Sequence, residues 1–312
     1  MTNIRKEFRD IPFLHKLAFH YSWNGWRGSS IVWKIVNGLK RPSEGAFVRT
    51  PKGFPIKVNS TDYISRTIYE GTFERDLLHF EESLVLSHYI IDIGANLGVT
   101  LYHACRHADQ NAKFIAFEPS PYCVAGLEMT TSALKQSGSV LKTAIGSING
   151  EVDMYGLNNP FHSGAASLGL NYSDLNSNRV EVRTIDDYFP SLTKNEPISF
   201  LKIDVETYEP EVINGGLVTL QSGIIEIGVI EITPSAGYLG HLHTLETHLN
   251  GNYYWFHLTN KGLVRMKSVL KETDLELALK TTEQWNLIIF RKDIYQKYRN
   301  RWKALEIIPK KV

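Results

Sequence analysis

Apolar residues follow two periods along this chain, and the change from one period to the other marks its elements. Tyr89–Ile93, Lys113–Phe117, Ile198–Ile203 and residues 224–232 are short runs, apolar almost throughout, as strands buried on both faces require. Helical spacing follows most of them. Leu97, Leu101, Ala104, Cys105 and Ala108 share one face after the first run, and Val124, Leu127, Thr131 and Leu134 share one after the second. After the third run a helix is expected from 207 or 208, with Pro210 in its first turn and Gly215-Gly216 closing it; residues 238–249 give another. Alternating strands and helices of this kind predict an α/β fold with a doubly wound, mostly parallel sheet. Residues 140–145 are expected as the third strand, 152–155 and 179–185 as further strands, and 253–258, 263–266 and 285–290 as late ones. Upstream, 47–58 reads as a hairpin turning at Thr50-Pro-Lys-Gly53, and 62–85 as one helix. Residues 156–178 lack periodicity and read as a long functional loop.

Composition adds bounds. With 312 residues, 43% hydrophobic and 21% charged, the chain is of ordinary globular type with a sizeable core. Its two cysteines, Cys105 and Cys123, fall in predicted helices, which argues against a disulfide scaffold and fits a cytoplasmic setting. No apolar run is long enough to span a bilayer, and His15 and Lys16 interrupt the only stretch resembling a signal peptide. Charge is unevenly placed. Residues 1–42 hold eight Lys/Arg against two Asp/Glu, residues 291–312 the same, and the segment between them carries a net −11. The acidic middle argues against a nucleic-acid partner. The basic arm holds Phe13, Phe19, Tyr21, Trp23, Trp26 and Trp33, and two readings stand. Its aromatics cap the main domain, or it makes a peripheral contact with a protein or an anionic membrane, placing the molecule at the inner membrane surface. The expected division is an arm (1–45), a hairpin-and-helix cap (46–88), the main domain (89–292) and a basic tail (293–312). Nothing in the sequence sets the oligomeric state.

The candidate chemistry starts at Gly94-Ala-Asn-Leu-Gly98, a glycine turn between the first buried strand and its helix. Such a corner lets a ligand approach the backbone and the free N–H groups of a helix start. Glu118 ends the second strand, 26 positions after Asp92, near the spacing of a ribose-binding acid. The turn has Asn96 in the middle and lacks the third glycine of a dinucleotide fingerprint. It therefore suits a nucleoside without pyrophosphate, such as S-adenosylmethionine, and disfavours an NAD-linked oxidoreductase. Asp92, Gly94, Ala95, Asn96, Gly98 and Glu118, with Ala144 in the third strand, form the expected cofactor set, Asp92 facing the ligand's ammonium directly or through water.

A second constellation, Leu201-Lys-Ile-Asp-Val-Glu-Thr-Tyr-Glu-Pro210, places Asp204, Glu206 and Glu209 at the carboxyl end of a strand, where open α/β sheets locate their chemistry. Together, IIDIGANLGVT, AFEPSP, TAIGSINGEV, LKIDVETYEPEVINGG and VIEI resemble, in order and spacing, the FkbM family of S-adenosylmethionine-dependent methyltransferases, over roughly residues 60–232. The resemblance implies a Rossmann-like seven-stranded class I methyltransferase sheet and O-methylation of a hydroxyl on a sugar, glycan or natural product. One departure stands out. The family commonly has glycine and a small residue or His between the two glutamates, where this chain has Thr207-Tyr208.

Methylating an alcohol requires in-line alignment and a base within hydrogen-bond reach. Asp204 is either that base or an orienter of the cofactor's ammonium. Glu206 supports it, and His162, in the 156–178 loop, is the rival base. Glu209, Glu231 and His241 are expected at the acceptor; a helix-start role for Glu209 competes with that. A divalent metal held by Asp204, Glu206 and Glu209 is possible but disfavoured. The competing function is a non-catalytic S-adenosylmethionine-binding scaffold that recruits partners through its basic arms.

Overall fold

The computed structural model describes residues 8–38, 42–155, 177–233, 238–249, 251–266, 284–302 and 306–307. The chain opens with helices α1 (Phe13–Trp23) and α2 (Ser29–Asn37), the hairpin β1 (Phe47–Arg49) and β2 (Pro55–Lys57), and helices α3 (Tyr63–Glu70) and α4 (Arg75–Glu81). Then come β3 (Tyr89–Ile93), α5 (Val99–Arg106), β4 (Lys113–Phe117), α6 (Pro121–Thr131), β5 (Ser137–Leu141), β6 (Ala144–Ile145), β7 (Gly150–Tyr155) and β8 (Ser177–Arg183). The remainder is α7 (Ile185–Thr193), β9 (Ile198–Ile203), α8 (Glu209–Asn214), α9 (Leu217–Gln221), β10 (Ile227–Ile232), α10 (Tyr238–Leu249), β11 (Tyr253–Thr259), β12 (Gly262–Met266), β13 (Trp285–Arg291), α11 (Lys292–Trp302) and β14 (Glu306–Ile307).

One sheet dominates, in the order β14-β12-β11-β13-β10-β9-β3-β4-β5. Strands β5, β4, β3, β9 and β10 run parallel, and β13 is antiparallel to both β10 and β11. From β5 to β11 this is the expected Rossmann-like seven-stranded class I methyltransferase core. Two further strands, β12 and β14, extend it to nine. Strand alternation divides the core between the two faces. Tyr89, Ile91 and Ile93 pack with Phe189, Val212, Ile213 and Leu245, while Ile90 packs with Leu101, Ala104, Leu127 and Phe80 on the other side. Helices cover both faces, which is why the central strands read as continuous apolar runs.

The structure departs from the sequence pattern at four places. The expected helix over 62–85 is two helices, because Gly71 (φ +70) and Glu74 (φ +34) are left-handed. A Cβ at Gly71 would stand 2.9 Å from the Phe19 ring, so the break is where α1 packs in. The expected strand 140–145 is divided: β5 pairs with β4, whereas β6 crosses to β8 in a separate three-stranded sheet. Strand β8 stops at Arg183 because the Thr184 hydroxyl accepts the Asp187 N–H and starts α7, a helix the pattern does not reveal. Where a basic tail is expected, α11 buries Ile294 and Tyr295 against Phe256 and Phe290. Of the segment 156–178 expected as a loop, residues 156–176, with His162, lie outside the described residues.

The inner faces of α1 and α2 cap the domain. Trp33 Nε1 donates to Ser22 Oγ (2.8 Å), His15 meets the Tyr69 hydroxyl at 2.9 Å, and Trp23 stacks on His103 of α5.

Candidate active site

The site begins where β3 ends. Gly94 adopts φ +82, and a Cβ there would lie 1.7 Å from the Asp204 carbonyl oxygen. Only glycine lets the end of β3 turn while the Asp204 N–H still bonds Ile93 O (3.0 Å). The N–H groups of Gly94 and Ala95 both donate to Phe117 O, which ties the turn to the tip of β4. Asn96 follows in the left-handed region (φ +49), and its N–H donates to Glu118 Oε2 at 2.8 Å. Glu118 Oε1 accepts the Ser120 N–H, also at 2.8 Å. Both oxygens of this buried acid are thereby anchored, with lone pairs to spare for ribose hydroxyls. Burial pushes its pKa up to about 7, Asp92 and Asp204 add to that, and the two backbone N–H groups oppose it.

These residues face a cavity of about 600 Å³ at the carboxyl ends of β3, β4, β9 and β10. Its wall includes Gly94, Ala95, Asn96, Glu118 and Ala144 from the expected cofactor set. Asp92 and Gly98 are not on that wall. The Asp92 carboxylate sits beneath α5 and accepts the Thr100 hydroxyl at 2.9 Å. Gly98 starts α5, where a Cβ would stand 2.6 Å from Leu127 Cδ1, so it serves the approach of α5 to α6. Both therefore stand behind the wall, in positions that support it.

The opposite wall is built of carboxylates. Asp204, Glu206 and Glu231 line it as expected, joined by Glu74, Gln284 and Asn286. Carboxylate oxygens of Glu74, Asp204 and Glu231 lie within 4.8 Å of one another. This trio, rather than Asp204 with Glu206 and Glu209, is the geometric candidate for holding a cation. Glu209 is off this wall: it is the first residue of α8, the helix start that competed with acceptor binding, and its Oε1 accepts the Val205 N–H (2.8 Å). His241 belongs to α10, but its side chain lies outside the described residues.

Lys202 is the charge the sequence reading missed. It is only 2% exposed, and its Nζ donates to Asp204 Oδ2 at 2.5 Å. Burial works against its charge, yet Asp204, Glu74 and Asp92 hold its pKa well above the usual lysine range. A strand lysine two residues before an acid is on the same face as that acid, and this i, i+2 spacing is the one signal that pointed to it. Even with this ammonium present, the carboxylates are raised. Burial first, then Asp204, pushes Glu206 up to about 8 and Glu231 up to about 11; Glu74 reaches about 7, chiefly through burial. Glu206 (φ +54) and Thr207 (φ +80) form a left-handed corner. The β-branched Thr207 occupies the segment where the family commonly has glycine, a strain on the order of 1–3 kcal/mol.

These shifts have a testable sign. A carboxyl whose folded pKa exceeds its unfolded value costs nothing below the unfolded pKa, where both states are protonated, and penalises folding as pH rises through the folded pKa. Glu206→Gln removes that penalty. Its advantage in Tm over the parent protein, without ligand, is expected to be near zero around pH 4.5 and to grow toward about pH 8. Melting curves across that range check this, and an advantage that shrinks with pH contradicts it.

A family model described as the methyltransferase FkbM domain matches residues 92–253, just over half of the chain. No curated protein matches it in sequence. Among solved structures, a protein described as an rRNA methylase from Clostridium thermocellum is 8% identical with a TM-score of 0.36, over 69% of this chain and 92% of that one. Precorrin-6y C5,15-methyltransferase from Geobacter metallireducens GS-15 is 9% identical with a TM-score of 0.37, over 70% and 88%. Likenesses this distant carry nothing about the acceptor. The family match does not depend on them: it runs from Asp92 at the glycine turn through both walls of the cavity to Tyr253, and the chain belongs to the FkbM family of methyltransferases.

Proposed function

We propose that the protein methylates a hydroxyl oxygen of a sugar, glycan or natural product, using S-adenosylmethionine. The observation that carries this reading is the pairing of walls in one cavity: a glycine turn and anchored acid on one side, converging carboxylates on the other. The residues suit the cofactor. Asn96 Oδ1 is buried without a hydrogen bond among the described residues, Glu118 offers lone pairs, and the carboxylate wall favours a cation. A volume near 600 Å³ is within the range of small-molecule sites. Gly94, Ala95, Asn96, Glu118 and Ala144 would hold it. When bound, it supplies an electrophilic methyl group on a sulfonium.

The chain's own part is to position the acceptor and take its proton. With Oδ2 engaged by Lys202, Asp204 presents Oδ1 to the acceptor hydroxyl as the base. Glu206 stands beside it on the wall. Glu231, held protonated by burial and its acidic neighbours, donates a hydrogen bond to an acceptor oxygen. The net −11 carried between residues 43 and 290 works against a phosphate backbone, which favours a small or glycan acceptor over nucleic acid. Lys202 supplies a cation against Asp204, and Glu74, Asp204 and Glu231 are the group that would hold a divalent metal if one binds.

The test is incubation with methyl-labelled S-adenosylmethionine and extracts rich in free and lipid-linked sugars. Label is expected in an alkali-stable methyl ether. Cofactor binding with no transfer to any hydroxyl acceptor would favour the scaffold reading instead.

A further inference from the structure

The outer faces of α1 and α2 have no use in this reading. Among the described residues, six of the ten large hydrophobic side chains that stand exposed lie on this short arm: Phe13, Leu14, Leu17, Trp26, Ile31 and Ile35, between 49 and 72% exposed. Their spacing is regular. Leu14 follows Phe13 and Leu17 lies one turn on along α1; Ile31 and Ile35 are one turn apart on α2, and the two helices pack together. The same helices bury Phe19, Trp23, Trp33 and Val36 on their inner sides. Each is therefore apolar on two faces, and only one is used by the fold. A helix that merely caps a core has a polar outer face.

The charges say what the second face meets. From Ile11 to Gly38 there is no Asp or Glu, while Lys16, Arg27 and Lys34 are all exposed beside the apolar stripe. Asp10 stands before α1, Glu70 accepts a hydrogen bond from Asn37 on the inner side, and Asp76 is paired with Arg75, whose guanidinium reaches Ser22 O. A protein partner is met by rims of both signs, whereas Trp, Phe and Leu flanked only by Lys and Arg suit an anionic interface with an apolar layer beneath it. We propose that this face docks the protein peripherally on an anionic lipid bilayer, the side chains of Phe13, Leu17, Trp26, Ile31 and Ile35 entering the headgroup boundary. Helix α3 packs against α1 and lends Tyr63, Ile64 and Thr67 to the cavity wall, so one helix links the docking arm to the cavity.

The full chain should be floated in density gradients with vesicles of phosphatidylcholine alone and with vesicles containing phosphatidylglycerol. Flotation is expected only with the anionic vesicles and should weaken in high salt. The double variant Leu17→Glu/Ile35→Glu is expected to lose at least about tenfold in partition, and Lys16→Glu/Lys34→Glu a comparable amount. Both should bind S-adenosylmethionine as the parent does, which shows that they fold. Three results overturn the proposal: no flotation with anionic vesicles, undiminished flotation of both variants, or a dimer of the parent protein that Leu17→Glu/Ile35→Glu dissolves.

Discussion

Replacing Asp204 by asparagine is expected to lower kcat by a factor of about 10² or more while leaving S-adenosylmethionine binding within a fewfold of the parent value. The substitution keeps the shape and one acceptor oxygen but removes the carboxylate that accepts the hydrogen bond of the buried Lys202 ammonium. The site then lacks a base at the end of β9. A second effect accompanies the first, because Lys202 loses a close counter-charge in a place where it is 2% exposed. Uncompensated buried charge destabilises strongly, so a lower Tm is expected with the lower kcat. Pre-steady-state turnover and equilibrium binding on the same preparation separate the outcomes. If turnover is unchanged, Asp204 is not the base. If instead binding collapses while the turnover of saturated enzyme survives, its task is to orient the cofactor's ammonium.

The second large effect is expected from Gly94→Ala. An added Cβ would meet the Asp204 carbonyl oxygen at 1.7 Å and the Asp204 carbonyl carbon at 2.8 Å. Those are backbone atoms at the junction of β3 and β9, so no side-chain rotation relieves the clash, and φ +82 adds its own strain. A stability loss of about 2–4 kcal/mol is expected, with S-adenosylmethionine affinity falling more than tenfold, because the turn carries both the cavity backbone and the Asn96 N–H that anchors Glu118. Gly98→Ala is the control. Its Cβ would meet the mobile end of Leu127, so part of the stability loss remains while cofactor affinity is largely kept. Thermal melts and calorimetric titration of the two variants report this contrast; equal loss of affinity in both would mean that Gly98 reaches the ligand after all.

The site was legible wherever its geometry is local. Gly94 and Asn96 must be left-handed because a strand turns into a helix over a few residues, and the residue types announce that. Glu118 could be placed by counting from Asp92, since one strand, one helix and the next strand fix the distance between neighbouring strand ends. Asp204 and Glu231 were visible for the same reason, as polar residues ending apolar runs. Glu74, Gln284 and Asn286 were not. They reach the cavity from the break between α3 and α4 and from the start of the antiparallel strand β13 with the residue before it, at separations no local spacing records. Gly98 and Asp92 carry a second role that spacing does not reveal: a glycine or acid beside a ligand turn can also serve the packing of the helix that follows, as both do here.

What the sequence determined by itself is the ladder of buried strands, the corner at Gly94 and the placement of acids at strand ends, because each follows from steric limits and burial over a handful of residues. Tertiary structure alone decided the remainder. The break at Gly71 depends on the packing of Phe19, the crossing of β6 to a second sheet on its pairing with β8, and the grouping of Glu74, Asp204 and Glu231 around Lys202 on strands and helices far apart in the chain. Charge interactions act through space in a medium of low polarizability, so which acids share one lysine is settled only when the sheet has formed.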